Sequence, residues 1–184
     1  MINHKNIVDK IFSINSDREF EEIALDIFNF QYKSNKVYRE YVNIIGKKQT
    51  NINNIREIPF LPISIYKIRD VICGSFKYDI VFRSSGTTSY NRSRHYVKDL
   101  KIYNKSIILG FNSFWGDINN YHIIGYLPDI LNREDSSLSY MVKYMVDYNK
   151  QDINESLYTD KSKCIETVMN LLEKNEKKVI IIGV

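Results

Sequence analysis

At 184 residues the chain is long enough for one domain with its own hydrophobic core. Apolar residues make up 43% and charged residues 26%, and the net charge of +4 comes from scattered lysines rather than a basic block, which sets nucleic-acid binding aside. Two cysteines without CxxC spacing, Cys73 and Cys164, argue against a disulfide scaffold and against structural zinc.

Residues 16–45 read as two helices. Phe20, Ile23, Ala24 and Ile27 share one face of the first, capped by Ser16 or Asp17. Val37, Tyr38, Tyr41, Val42 and Ile45 make the stripe of the second. The asparagine-rich stretch 46–57 reads as a loop, and Ile58-Pro59-Phe60-Leu61-Pro62-Ile63 as an extended segment, since each proline disfavours helix in the residue before it.

Phe76 to Phe82 alternates as a strand, and Arg94–Val97 reads as a returning one. Asp99 is placed to cap a helix whose stripe is Leu100, Tyr103, Ile107, Phe111 and Phe114. Tyr121 to Leu127 is a buried-strand candidate ended by Pro128-Asp129. Ser136 or Ser137 caps the next helix, with Leu138, Met141, Val142 and Met145 inward. Thr159 or Asp160 opens the last, with Cys164, Val168 and Leu171 on one face, and residues 179–183 close as a strand. The order predicts an α/β fold: a helical N-terminal segment followed by alternating strands and helices. A chain ending in the middle of a core-type strand is expected to be the N-terminal portion of something longer, so 1–184 is read as a single, truncated domain. Met1-Ile2-Asn3-His4-Lys5 does not lead into a secretory apolar core, and no apolar run approaches a membrane span, so a cytoplasmic location is expected.

The most informative segment is Phe82-Arg83-Ser84-Ser85-Gly86-Thr87-Thr88-Ser89. Four hydroxyl side chains and a glycine follow directly on a strand. Such a loop offers O–H and N–H donors to an anionic oxygen, and Gly86 permits a turn that a Cβ would resist. Arg92, Arg94 and His95 follow within ten residues, which suits a polyphosphate. The motif is neither a Walker A loop, which needs a second glycine and a lysine, nor GxGxxG. From composition alone it is equally a polar turn whose hydroxyls satisfy their own backbone. His95 is a candidate acid, base or donor, or a structural strand histidine. Cys164 reads as a buried, inert thiol. Tyr103, Phe111, Phe114, Trp115 and Tyr140 fit a core at helical spacing better than an acyl pocket.

Arg83-Ser84-Ser85-Gly86-Thr87-Thr88 resembles the phosphate loop of adenylate-forming enzymes, and most closely that of the LuxE-type acyl-protein synthetases, with phenylacetate–CoA ligase a more distant cousin. An ordered series extends the resemblance from about residue 16 to the end. It includes Phe28-Asn29-Phe30-Gln31-Tyr32, Ile58-Pro59-Phe60-Leu61-Pro62-Ile63, Arg94-His95-Tyr96-Val97-Lys98-Asp99, Ser136-Ser137-Leu138-Ser139-Tyr140-Met141 and Ile181-Ile182-Gly183-Val184. The resemblance implies the N-terminal part of the large domain of an adenylate-forming enzyme. It implies an ATP- and Mg²⁺-dependent ligase that activates a carboxylic (fatty) acid as acyl-AMP and transfers the acyl group to a protein thiol, with an acyl-accepting protein or reductase as partner.

On this analogy Ser84, Ser85, Gly86, Thr87 and Thr88 grip the outer phosphates, and His95 is the catalytic candidate. Two departures stand out. Ser89 stands where a glycine usually follows the second threonine, and Tyr90 after it is bulky. The family's adenine-binding segment, ribose-binding carboxylate and accepting cysteine would fall beyond Val184, so the fragment alone is expected to be inactive. An acyl-CoA ligase and a non-catalytic binding or scaffold fragment remain as alternatives.

Overall fold

The computed structural model describes residues 4–85, 91–127 and 133–184. The fold is mixed α/β, and the chain divides into two compact units. The first comprises Met1–Tyr78 and Gly86–Lys98, the second Asp79–Ser85 and Asp99–Val184.

The first unit is helical. Helix α1 covers His4–Ile11, α2 Asp17–Ser34 and α3 Lys36–Ile44. Ser16 caps α2 through its side chain, which accepts from the Glu19 N–H. Asn35 ends α2 and starts α3: its backbone N–H donates to Gln31 O, and its side-chain oxygen accepts from Tyr38 N–H. The core is Phe28, Tyr38, Val42 and Ile52, against which Leu25, Ile58 and Leu61 pack. Tyr38 and Val42 come from the expected α3 stripe, whereas α2 contributes Phe28 rather than its expected stripe, of which Phe20 is 52% exposed. The loop after α3 is more ordered than its asparagines suggest. It holds two 3-10 turns, Gln49–Asn51 and Ile55–Glu57, and the second is closed by a capping box between Asn54 and Glu57. The proline segment runs extended, as its prolines dictate, and then turns into a single helical turn, α4 (Ile65–Ile68).

Tyr38 ties this unit to the proline segment. Its hydroxyl donates to the Pro59 carbonyl at 2.7 Å. Burial, with Tyr41 beside it, pushes this hydroxyl from 10.0 up to about 12. A folded-state pKa above the unfolded one means that this contribution to stability is complete below about pH 10 and is lost as pH rises towards 12. Tyr38→Phe is therefore expected to cost about 1 kcal/mol at neutral pH. It should also flatten the fall in urea midpoint between pH 10 and 12 relative to wild type, and parallel curves would contradict the assignment.

The second unit begins with strand β1 (Ile80–Arg83), shorter than the predicted 76–82. Asp79 is turned to accept from the Leu100 N–H at 2.9 Å, which starts the strand late. Strand β2 (Arg94–Val97) belongs to the first unit. Asp99 caps α5 (Leu100–Trp115), whose buried residues are Ile108 and Phe111. Phe114, expected inward, is 81% exposed. It lies in the last turn of α5, beyond Phe111, the last buried residue of the helix. Strand β3 (Tyr121–Tyr126) is the centre of a three-stranded parallel sheet of order β4-β3-β5, with β4 at Leu157–Tyr158 and β5 at Lys178–Gly183. Tyr121 pairs with Lys178 and Tyr126 with Gly183, and Gly125 pairs with Leu157 on the other side. Helix α6 (Ser137–Tyr148), capped by Ser136, and helix α7 (Lys161–Lys174), capped by Asp160, complete the unit. Its core joins α5, β3 and α6 through Phe111, Ile118, Ile123, Val142 and Val146.

Candidate functional site

Strand β1 carries the chain to the first hydroxyls of the predicted phosphate loop. Phe82 anchors the strand, its ring 5.1 Å from Tyr103 and 5.4 Å from Tyr140. That packing fixes where Ser84 and Ser85 leave the strand, Ser84 half-buried and Ser85 exposed. Gly86, Thr87 and Thr88 lie outside the described residues.

The end of β1 is held by a segment 50 residues further on. Arg83 N–H donates to the Asp135 carbonyl at 2.9 Å, and the Arg133 guanidinium donates to the Arg83 carbonyl at 3.3 Å. The Asp135 carboxylate sits between the two cations, 3.8 Å from Arg83 Nη1 and 3.9 Å from Arg133 Nε. Two guanidiniums lie within ion-pair reach of one carboxylate at the exit from β1. Arg133 was not singled out from the sequence. Nothing local marks it, because its role depends on a contact across 50 positions.

His95 lies on β2, in the first unit, and is exposed at its edge. Partial desolvation pushes its imidazole below the ordinary value, so the neutral form dominates at pH 7. On the same strand Arg94 pairs with Asp70 at 2.9 Å, and the Tyr96 hydroxyl donates to that carboxylate at 2.9 Å. Cys164 is buried on α7, and burial pushes its thiol up, as expected of an inert cysteine. Cys73 is half-buried and donates to Gln31 Oε1 at 3.1 Å. The five aromatics weighed as an acyl pocket do not form one wall. Phe111 is core, Tyr103 and Tyr140 pack on Phe82, and Phe114 and Trp115 are exposed.

Hydroxyl and guanidinium donors at the end of β1 fit an anionic phosphate. A protein-built metal cage is a different matter. Among the described residues no group of three or more His, Cys, Asp or Glu is placed to hold a metal ion, and Asp135 is already shared by two arginines. Nor does any described helix have the length and apolarity to cross a membrane. No family model, curated protein or solved structure matches the chain.

Proposed function

We propose that this chain carries the phosphate-gripping part of an ATP-dependent carboxylate-activating enzyme similar to the LuxE-type acyl-protein synthetases. In this reading a carboxylic acid is joined to AMP with release of pyrophosphate, and the acyl group then passes to a protein thiol with release of AMP. The observation that carries the reading is the exit of β1, where Ser84 and Ser85 emerge beside the Arg83 and Arg133 guanidiniums bridged by Asp135. Hydroxyls followed by fixed cations at a strand end suit the outer phosphates of a nucleotide. Ser84, Ser85, Gly86, Thr87 and Thr88 are assigned that grip, and His95 is a candidate for contact with the reacting groups. Mg²⁺ in such an enzyme is carried mainly by the phosphates and water, and no residue of this chain is assigned to it.

The test is titration of Mg·ATP into the intact protein as its gene encodes it, followed by carboxylate-driven exchange of labelled pyrophosphate into ATP. Losing one hydroxyl donor to a charged phosphate is expected to weaken ATP binding about tenfold. Ser85→Ala and Thr87→Val should each do so without moving the thermal midpoint. No heat with Mg·ATP and no exchange with fatty, aryl or sugar-linked acids would overturn the reading.

A further inference from the structure

The parallel sheet of the second unit ends at β5. Among the described residues no strand lies beyond it, and β5 is bonded on one side only, to β3. The Val184 N–H donates to the Tyr126 carbonyl of β3 at 3.4 Å. Backbone groups alternate in direction along a strand, so those of Ile180 and Ile182 also face β3, and those of Val179, Ile181 and Gly183 face the open edge. Side chains alternate too. Ile180 and Ile182 pack on the core shared with α5 and α6, which leaves Ile181 on the other face, beside its β3 partner Ile124. Ile124 is buried there, whereas Ile181 is more than half exposed.

Helix α7 covers that second face, and its orientation explains the difference. Cys164 is buried under it, with the half-buried Val168 and Leu171 on the same side. Thr167 is turned to β4, where its hydroxyl meets that of Tyr158 at 2.7 Å. At about 3.6 residues per turn, the flank opposite Thr167 carries Ile165, Met169 and Leu172, and so lies on the β5 side. All three are more than half exposed. An unpaired strand edge and an apolar helix flank therefore lie next to each other. Together they ask for an occupant that brings a strand edge of its own and an apolar helix side.

A second copy of this chain brings both. In an antiparallel register centred on Ile181, that residue meets its own equivalent and Val179 meets Gly183 of the copy, so every edge-facing backbone group finds a partner. The helices follow the strands. Helix α7 runs antiparallel to β5, and with a rise of about 1.5 Å per residue in the helix and about 3.3 Å in the strand, the level of Ile181 falls near Val168 and Met169. The same two-fold then sets Met169 against Met169 and Ile165 against Leu172. Charge selects this orientation. Lys161 lies at the N-terminal end of the apolar flank, and Glu173 and Glu176 lie at its C-terminal end. Lys174 falls on the Thr167 side of the helix, and Lys178 stands over the Tyr121 ring on the opposite face of the sheet, which leaves two carboxylates to one lysine, Lys177, at that end. A two-fold places Lys161 of each copy against this acidic end of the other, whereas parallel helices would bring like ends together. We propose that the β5 edge and the α7 flank form a dimerisation surface, on which a second copy of this chain pairs antiparallel about a two-fold axis at Ile181.

The test is analytical ultracentrifugation of the full 184-residue chain without nucleotide, so its result and that of the Mg·ATP titration are read separately. The chain is expected to dimerise with a Kd on the order of 10 µM, the weak end for a specific interface. Met169 is exposed, so Met169→Lys and Met169→Glu should both keep the wild-type thermal midpoint. Each alone sets two like charges across the axis and should weaken self-association about tenfold or more. An equimolar mixture of the two sets lysine against glutamate and should dimerise at least as well as wild type. Hydrogen exchange locates the contact on the strand: the amides of Val179, Ile181 and Gly183 should gain protection as concentration rises, while those of Ile180 and Ile182, already turned to β3, change little. A chain that stays monomeric at millimolar concentration would overturn the proposal and leave the face to a different occupant. So would a dimer undiminished by Met169→Lys, a mixture that associates no better than either variant alone, or edge amides that do not respond to concentration.

Discussion

Gly125→Val is expected to lower the stability of the second unit by about 3 kcal/mol, the upper end of what overpacking a core normally costs. Gly125 is buried on the central strand β3. A Cβ built there would lie 2.8 Å from Leu157 Cδ2 on β4 and 2.8 Å from Val142 Cγ1 on α6. Both distances are shorter than van der Waals contact allows. Val142 has little room to retreat, since it is fully buried in the same cluster as Ile123 and Val146, while the tip of the half-buried Leu157 can yield a little. Valine then adds two methyl groups beyond the clashing Cβ. Gly125→Ala should cost less than half as much, because side-chain tips can give by a few tenths of an ångström. Urea midpoints of the two variants and wild type check the ordering. A valine variant with the wild-type midpoint would mean that β3, β4 and α6 do not close on this position.

The second large effect is expected at Gln151, whose amide takes the place of an absent strand. On the β4 side of β3, β4 pairs only with Gly125 and Tyr126. The Gly125 N–H is satisfied by the Ser156 carbonyl at 2.7 Å, which leaves Ile123 without a strand neighbour on that side. Gln151 fills the position: its Oε1 accepts from the Ile123 N–H at 2.9 Å, and its Nε2 donates to the Ile123 carbonyl at 3.4 Å and to Ser156 Oγ at 3.4 Å. Asn149 braces the arrangement by donating to Gln151 Oε1 and to the Tyr121 and Ile118 carbonyls. Ile123 is fully buried, so water has little access to the groups left behind. Gln151→Ala is expected to cost about 2–4 kcal/mol, the price of two buried backbone groups without partners. Gln151→Glu should fare no better, because a carboxylate replaces the donor that faces the Ile123 carbonyl. Hydrogen exchange gives the specific signature: the Ile123 amide should lose protection in Gln151→Ala before those of Ile124 and Tyr126. Uniform loss along β3, or none, would contradict the role.

What the sequence made legible and what it hid follow the range of the interactions. Ser16, Asp99, Ser136 and Asp160 were readable as caps because a cap is a bond between residues two or three apart. Strand β3 was readable because an apolar run ended by proline has few other fates. The start of β1 was misread because Asp79 answers to Leu100, 21 residues away. Phe114 was placed inward by its spacing, although burial along α5 stops at Phe111. At the candidate site the hydroxyls were visible as a run of letters. Arg133 was not, since its contact exists only once distant segments meet.

Asn35 has a mechanical consequence for the first unit. Two rods, α2 and α3, are pinned at this residue, and Tyr32 on Asn43 and Arg39 on the Lys33 carbonyl add further links between them. Besides the two helix-ending bonds of Asn35, its backbone carbonyl accepts from the Arg39 N–H, and its side-chain amide donates to Gln31 Oε1, the atom that also receives the Cys73 thiol. Swinging either rod would tear several of these bonds together. The two rods therefore move as one body, and the Tyr38 hydroxyl on the Pro59 carbonyl couples the proline segment to them.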